Sequence, residues 1–129
     1  MRFLLDSNAI IALLKGHSAF VRRLRRYRTD DFGISAIVAH ELFYGAYKGQ
    51  RVDENLARVE ALQFVVLDFD REDARQAGQI RAQLAMAGAP IGPYDVLIAG
   101  QAIARSLTLV THSTREFGRI AGLKVEDWE

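Results

Sequence analysis

The chain has 129 residues, half of them hydrophobic, with 17 Lys and Arg against 16 Asp and Glu and a net charge of +1. That length suits one domain, residues 1–129, able to bury a core unaided, and the charge balance excludes a globally basic nucleic-acid binder. The absence of cysteine excludes a disulfide framework, a thiolate zinc site and a thiol nucleophile.

Apolar runs alternate with longer helical patterns. Residues 2–5 read as a short buried strand, closed by Asp6-Ser7-Asn8. Ser7 or Asn8 is expected to cap a helix over 9–15 that ends near Gly16. A second helix is expected over 18–28 and a second strand over 32–34. Ser35 then caps a helix over 36–48, and Asp53 caps another over 54–63. A third strand over 64–67 leads into a long helix over 70–87 that stops at Gly88. Gly92-Pro93 opens a helix to about 105, with Pro at its favoured first position. A fourth strand over 107–110 and a short fifth at 124–125 complete the pattern. Such alternation predicts an α/β fold, a three-layer α/β/α sandwich around a short parallel sheet of four or five strands. The first strand starts directly after Met1-Arg2 and no apolar run reaches the ~18 residues of a membrane span. A cytoplasmic protein with no membrane partner is the expectation.

Three acids stand among apolar neighbours. Asp6 ends Phe3-Leu4-Leu5, Glu41 shares a helical stripe with Ile37, Val38 and Tyr44, and Asp95 opens Pro93-Tyr94-Asp95-Val96-Leu97. Unpaired carboxylates are costly to bury, so three of them on core-facing positions point to a shared partner. A hard divalent cation is the simplest one. Ligands in parallel sheets collect at the carboxyl ends of strands. Asp6 follows strand one, Glu41 lies in the second turn after strand two, and Thr111, Ser113 and Glu116 follow strand four.

Each residue also has a plainer reading. Asp6 has the option of capping a helix and Asp95 of complementing a helix dipole. Glu41 is mid-helix and has neither excuse. Asn8 either orients Asp6 or serves the cap. Thr111 and Ser113 either hold a ligand or make a turn, and Glu116 is either a fourth acid in the site or an ordinary helical acid. Arg22, Arg23, Arg25, Arg26 and Arg28 are either the solvated face of a helix or a patch for phosphates. There is no glycine-rich phosphate loop, no nucleophile elbow, and no metal-ligand spacing among His17, His40 and His112.

The segments Phe3-Leu4-Leu5-Asp6-Ser7-Asn8, Ser35–Leu42, Ile91–Ala99 and Leu109–Phe117 together resemble the PIN-domain family, and especially its VapC-type toxins, in order and spacing over essentially the whole chain. The resemblance implies an Mg²⁺-dependent (or Mn²⁺-dependent) endoribonuclease toxin that cuts structured RNA, tRNA above all. Asp6, Glu41 and Asp95 correspond to its catalytic, metal-holding acids. Beside them, supporting roles are expected of Asn8, Thr111, Ser113 and Glu116, and RNA contacts of Arg22, Arg23, Arg25, Arg26 and Arg115. One departure stands out: where the family commonly carries Asp or Asn, this chain has Ser113. The resemblance also implies a homodimer and a VapB-type antitoxin that closes the acidic pocket, with Phe43, Tyr44 and Tyr47 near its groove. Two other readings compete. One is a non-catalytic RNA-binding domain on the same fold. The other is a phospho-acceptor receiver domain, disfavoured because Leu107–Thr114 offers no Lys.

Overall fold

The computed structural model describes all residues, 1–129. Five parallel strands, β1 (Phe3–Leu5), β2 (Phe32–Ser35), β3 (Val65–Leu67), β4 (Thr108–Val110) and β5 (Val125–Glu126), form one sheet in the order β3-β2-β1-β4-β5. Phe3, Leu4 and Leu5 are all buried, as expected of a central strand covered on both faces. β1 pairs with β2 on one side (Phe3 opposite Phe32) and with β4 on the other (Leu5 opposite Val110). The direction of strand progression therefore reverses between β1 and β4. Open parallel sheets hold their ligands at such a switch point, beyond the carboxyl ends of the strands.

Seven helices surround the sheet: α1 (Ser7–Leu14), α2 (Ser18–Leu24), α3 (Ala36–Lys48), α4 (Val52–Glu60), α5 (Arg71–Met86), α6 (Pro93–Ala104) and the short α7 (Thr114–Phe117). None is long and apolar enough to cross a membrane.

Three of the differences from the expected boundaries have a clear physical cause. Helix α1 starts at Ser7 because Asp6 itself is the cap, its Oδ1 accepting from Ser7 N at 2.8 Å. Helix α2 ends at Leu24 rather than 28, since Tyr27 is drawn into an aromatic cluster. Its ring centroid lies 4.7 Å from that of Phe3 and 5.6 Å from that of Trp128. Helix α4 begins at Val52, so Asp53 lies in its first turn and not at the cap. The Asn55 amide donates to Ala46 O at 3.3 Å and ties that turn to α3.

Helices α5 and α6 pack backbone to backbone: a Cβ on Gly100 would stand 2.6 Å from Ala77. Beside this contact lies a buried acid that the sequence did not single out. Asp73, 1% exposed, accepts from Gln101 Nε2 at 3.0 Å and from Arg105 Nη2 at 3.0 Å. Burial pushes its carboxyl up, but the Arg105 guanidinium, the Asp70 backbone N–H and the Gln101 amide together hold it below the usual aspartate range. A lowered carboxyl stabilises the fold above its unfolded value and loses that contribution as pH falls. Asp73→Asn should therefore cost about 2 kcal/mol at neutral pH. In urea unfolding, the gap to the wild type should close as pH drops below 3.8, the ordinary aspartate value.

Candidate active site

The carboxyl edge at the β1–β4 switch point carries the acids. Asp6 is 2% exposed, and each of its oxygens has a separate task. Oδ1 caps α1, while Oδ2 accepts from the Thr111 hydroxyl at 2.8 Å. Capping and site function were alternatives in the sequence; the cap uses only one of the two carboxylate oxygens.

Asn8 fastens the two strand ends together. Its Nδ2 donates to Ser113 Oγ at 3.0 Å and lies 3.3 Å from Thr111 Oγ1, and its Oδ1 accepts from the His112 backbone N–H at 3.0 Å. Thr111, 1% exposed, also accepts from Ser113 N at 3.0 Å. Ser113 thus belongs to a polar latch around Asp6, reached by Asn8 rather than standing free.

Glu41 enters from α3 and Asp95 from the first turn of α6. Burial is the main reason that the carboxyls of Asp6, Glu41 and Asp95 all rise above their ordinary values. The charge of Asp6 pushes Glu41 and Asp95 up further, Asp95 adds to Glu41, and Glu116 adds to Asp95. Glu41 and Asp95 thus each feel the charge of Asp6, and Asp95 also feels that of Glu116. The same acids do not form a tight knot. The group of His, Asp or Glu ligand atoms within 4.8 Å of one another is His112, Asp127 and Glu129, an exposed cluster beside the latch.

Two details suit the opening to a cation. Glu41 Oε1 is buried with no hydrogen-bond partner, an expensive state for a carboxylate oxygen unless a positive group answers it. At the start of α6, Gly92 leaves room for Asp95: a Cβ there would come within 3.3 Å of Asp95 Oδ2. An oxygen-only donor set with separated carboxylates fits a hard divalent ion that keeps part of its hydration.

The arginines divide. Arg23 is committed to the fold, bonding Glu126 at 3.0 Å with its guanidinium 5.5 Å from the centre of the Trp128 ring. Arg22, Arg25, Arg26 and Arg115 are exposed. Arg22 and Arg26 share a depression with Asp127 and Glu129, whose charges temper it. Glu41 also lines a groove of about 250 Å³ between α1, α3 and α4, walled by Leu14, Leu42, Ala46 and Val59. Phe43 is half-buried, whereas Tyr44 and Tyr47 are exposed.

Residues 3–123 match the PIN domain family. The chain is 44% identical to the tRNA(fMet)-specific endonuclease VapC of Shigella flexneri, over 99% of its own length and 98% of the relative's. Among solved structures it superposes on the DNA-bound VapBC of Salmonella typhimurium with a TM-score of 0.94 and 44% identity, covering 100% of this chain and 99% of that one. It is likewise similar to VapBC2 of Rickettsia felis bound to a promoter DNA fragment, with a TM-score of 0.91, 31% identity and full coverage of both chains. The chain belongs to the PIN-domain family, in its VapC branch.

Proposed function

We propose that this protein is the ribonuclease toxin of a toxin–antitoxin pair, cutting tRNA with a divalent metal held by Asp6, Glu41 and Asp95. The observation that carries this reading is the unpartnered buried Oε1 of Glu41, on a carboxyl pushed up by burial and by the charges of Asp6 and Asp95. The name of the Shigella relative points to initiator tRNA as the substrate. Family membership supports a divalent ion in general, and the oxygen-only site favours Mg²⁺, with Mn²⁺ as the alternative.

When bound, such an ion neutralises charge on the phosphate oxygens and activates water for in-line attack on phosphorus. The chain's own groups do the rest. Asp6, held by Ser7 N–H and the Thr111 hydroxyl, presents a fixed lone pair. Glu41, with its raised carboxyl, is placed to take a proton from the attacking water. Asn8, Thr111 and Ser113 keep Asp6 oriented, a supporting role whose loss typically costs about 10–100-fold. Glu116 supplies the fourth acidic position in place of the acid or amide absent at Ser113. Arg22, Arg25, Arg26 and Arg115 guide the RNA backbone, while Arg23 stays bound to Glu126.

The groove beside Glu41 suits the antitoxin. Its apolar walls take a protein segment, and Glu41 in its lining takes a positive side chain. Tyr44 and Tyr47 extend that surface, and Val65 and Val66 on the sheet edge leave apolar area for a second copy. The single domain, the antitoxin complex and a homodimer complete the proposal, with the cytoplasm as the place of action.

Purified protein should cleave tRNA when Mg²⁺ or Mn²⁺ is added and stop when EDTA is present. Asp6→Asn should lower the rate by roughly 100-fold or more while leaving the far-ultraviolet circular dichroism intact. Wild-type protein that cuts no RNA with either metal would leave only the non-catalytic reading standing.

A second expectation follows from charge. Raised carboxyls favour the protonated form in the fold, so each contributes stability at low pH that disappears as pH rises through its folded value. Glu41→Gln or Asp95→Asn should therefore raise the melting temperature of the metal-free protein at neutral pH by a few degrees, on the order expected of a ~1 kcal/mol gain. The same variants should gain less than the wild type on addition of Mg²⁺.

A further inference from the structure

Two exposed rings adjoin the candidate acids in sequence and have no part in the chemistry above. His40 precedes Glu41 on α3, and Tyr94 precedes Asp95 on α6. Their ring centroids lie 5.2 Å apart with planes at 61°, an edge-to-face contact that joins the two helices. Tyr94 is 48% exposed and His40 is exposed as well. Neither ring lines the apolar groove beside Glu41, so the pair is a separate surface.

We propose that the His40–Tyr94 pair is a nucleobase platform that stacks an unpaired base of the RNA next to the phosphate being cut. The proposal rests on the nuclease reading and adds how the target strand is chosen. Both rings are one residue from a carboxylate of the site, so a strand with its phosphate at the acids brings its neighbouring base over them. An acidic opening repels the RNA backbone, and stacking supplies affinity that needs no positive charge. Every base has a π-face, and proteins recognise unpaired RNA largely by stacking such bases on aromatic side chains. A paired base is already stacked within its own helix. The platform therefore selects looped or single-stranded sites and disfavours duplex RNA.

The test uses full-length protein in EDTA, where binding is read without cleavage. The probes are a short single-stranded RNA in which successive bases are replaced one at a time by 2-aminopurine, and a matching series with abasic sites. Wild type and Tyr94→Phe should quench the fluorophore at one nucleotide. Tyr94→Leu and His40→Leu should each lose that quench and bind roughly 5- to 100-fold more weakly. An abasic site at the same nucleotide should erase the difference between variant and wild type, which a general loosening of the fold would not do. Both residues are exposed, and unchanged melting temperatures would confirm intact folding. Persistent quench in both leucine variants would overturn the proposal. So would costs that simply add to the abasic cost, or a defect confined to binding a protein partner. The two readings also fail separately: RNA cut with no quenched position sinks the platform alone, and a quenched position with no metal-dependent cutting sinks the nuclease alone.

Discussion

The structure turns on one buried charge. Asp6 sits at the point where the sheet reverses direction, and its two oxygens tie together pieces that are more than a hundred residues apart. One oxygen starts helix α1. The other is held by Thr111 at the end of β4, and Asn8 reinforces the join by reaching Ser113 and the His112 backbone. The same interactions that close the carboxyl edge leave an acid almost without water. Glu41 and Asp95 then approach it from α3 and α6. Like charges brought together in this way oppose folding, and the fold tolerates them because the surrounding core of Leu4, Leu5, Ile10, Ile98 and Leu109 is fully buried.

Gathered carboxyls oppose folding at this edge, whereas the opposite end of the sheet gathers apolar surface. There Phe3, Phe32, Tyr27 and Trp128 pack ring against ring, and Arg2 lies over Phe3 and Tyr27. Asp73 shows what a buried acid looks like when it is structural: a guanidinium and an amide answer it, and its carboxyl falls. At the switch point no Arg or Lys answers, and the carboxyls rise. The same chain thus holds one buried acid answered by a positive group and three carboxyls that none answers.

Most of this was legible in the sequence where local signals agreed. The strands stand out as short apolar runs between turn residues, and Pro93 marks the start of α6 where it lies. The three acids were recognisable because each interrupts an apolar pattern. What escaped depended on partners distant in sequence. Arg25 to Arg28 favour a helix locally, but Tyr27 gains more by packing beneath the sheet, and α2 stops short. Asp73 looks like any acid in a first helical turn, since Gln101 and Arg105 lie 28 and 32 residues away. The cap at Asp6 itself, rather than at Ser7 or Asn8, escaped for a simpler reason: a carboxylate has two oxygens, and one is enough to start the helix. The edge-to-face pair of His40 and Tyr94 joins helices that no sequence spacing relates.

Calorimetric titration of the protein with Mn²⁺, repeated in two buffers of different ionisation enthalpy, tests the central claim most directly. Raised carboxyls that bind one ion together must release protons as it enters at mildly acidic pH. The account predicts binding with proton release in the wild type, less release in Glu41→Gln and Asp95→Asn, and loss of binding when Asp6, Glu41 and Asp95 are all replaced by their amides. Binding of equal strength in the triple variant, or no binding by the wild type, would contradict it.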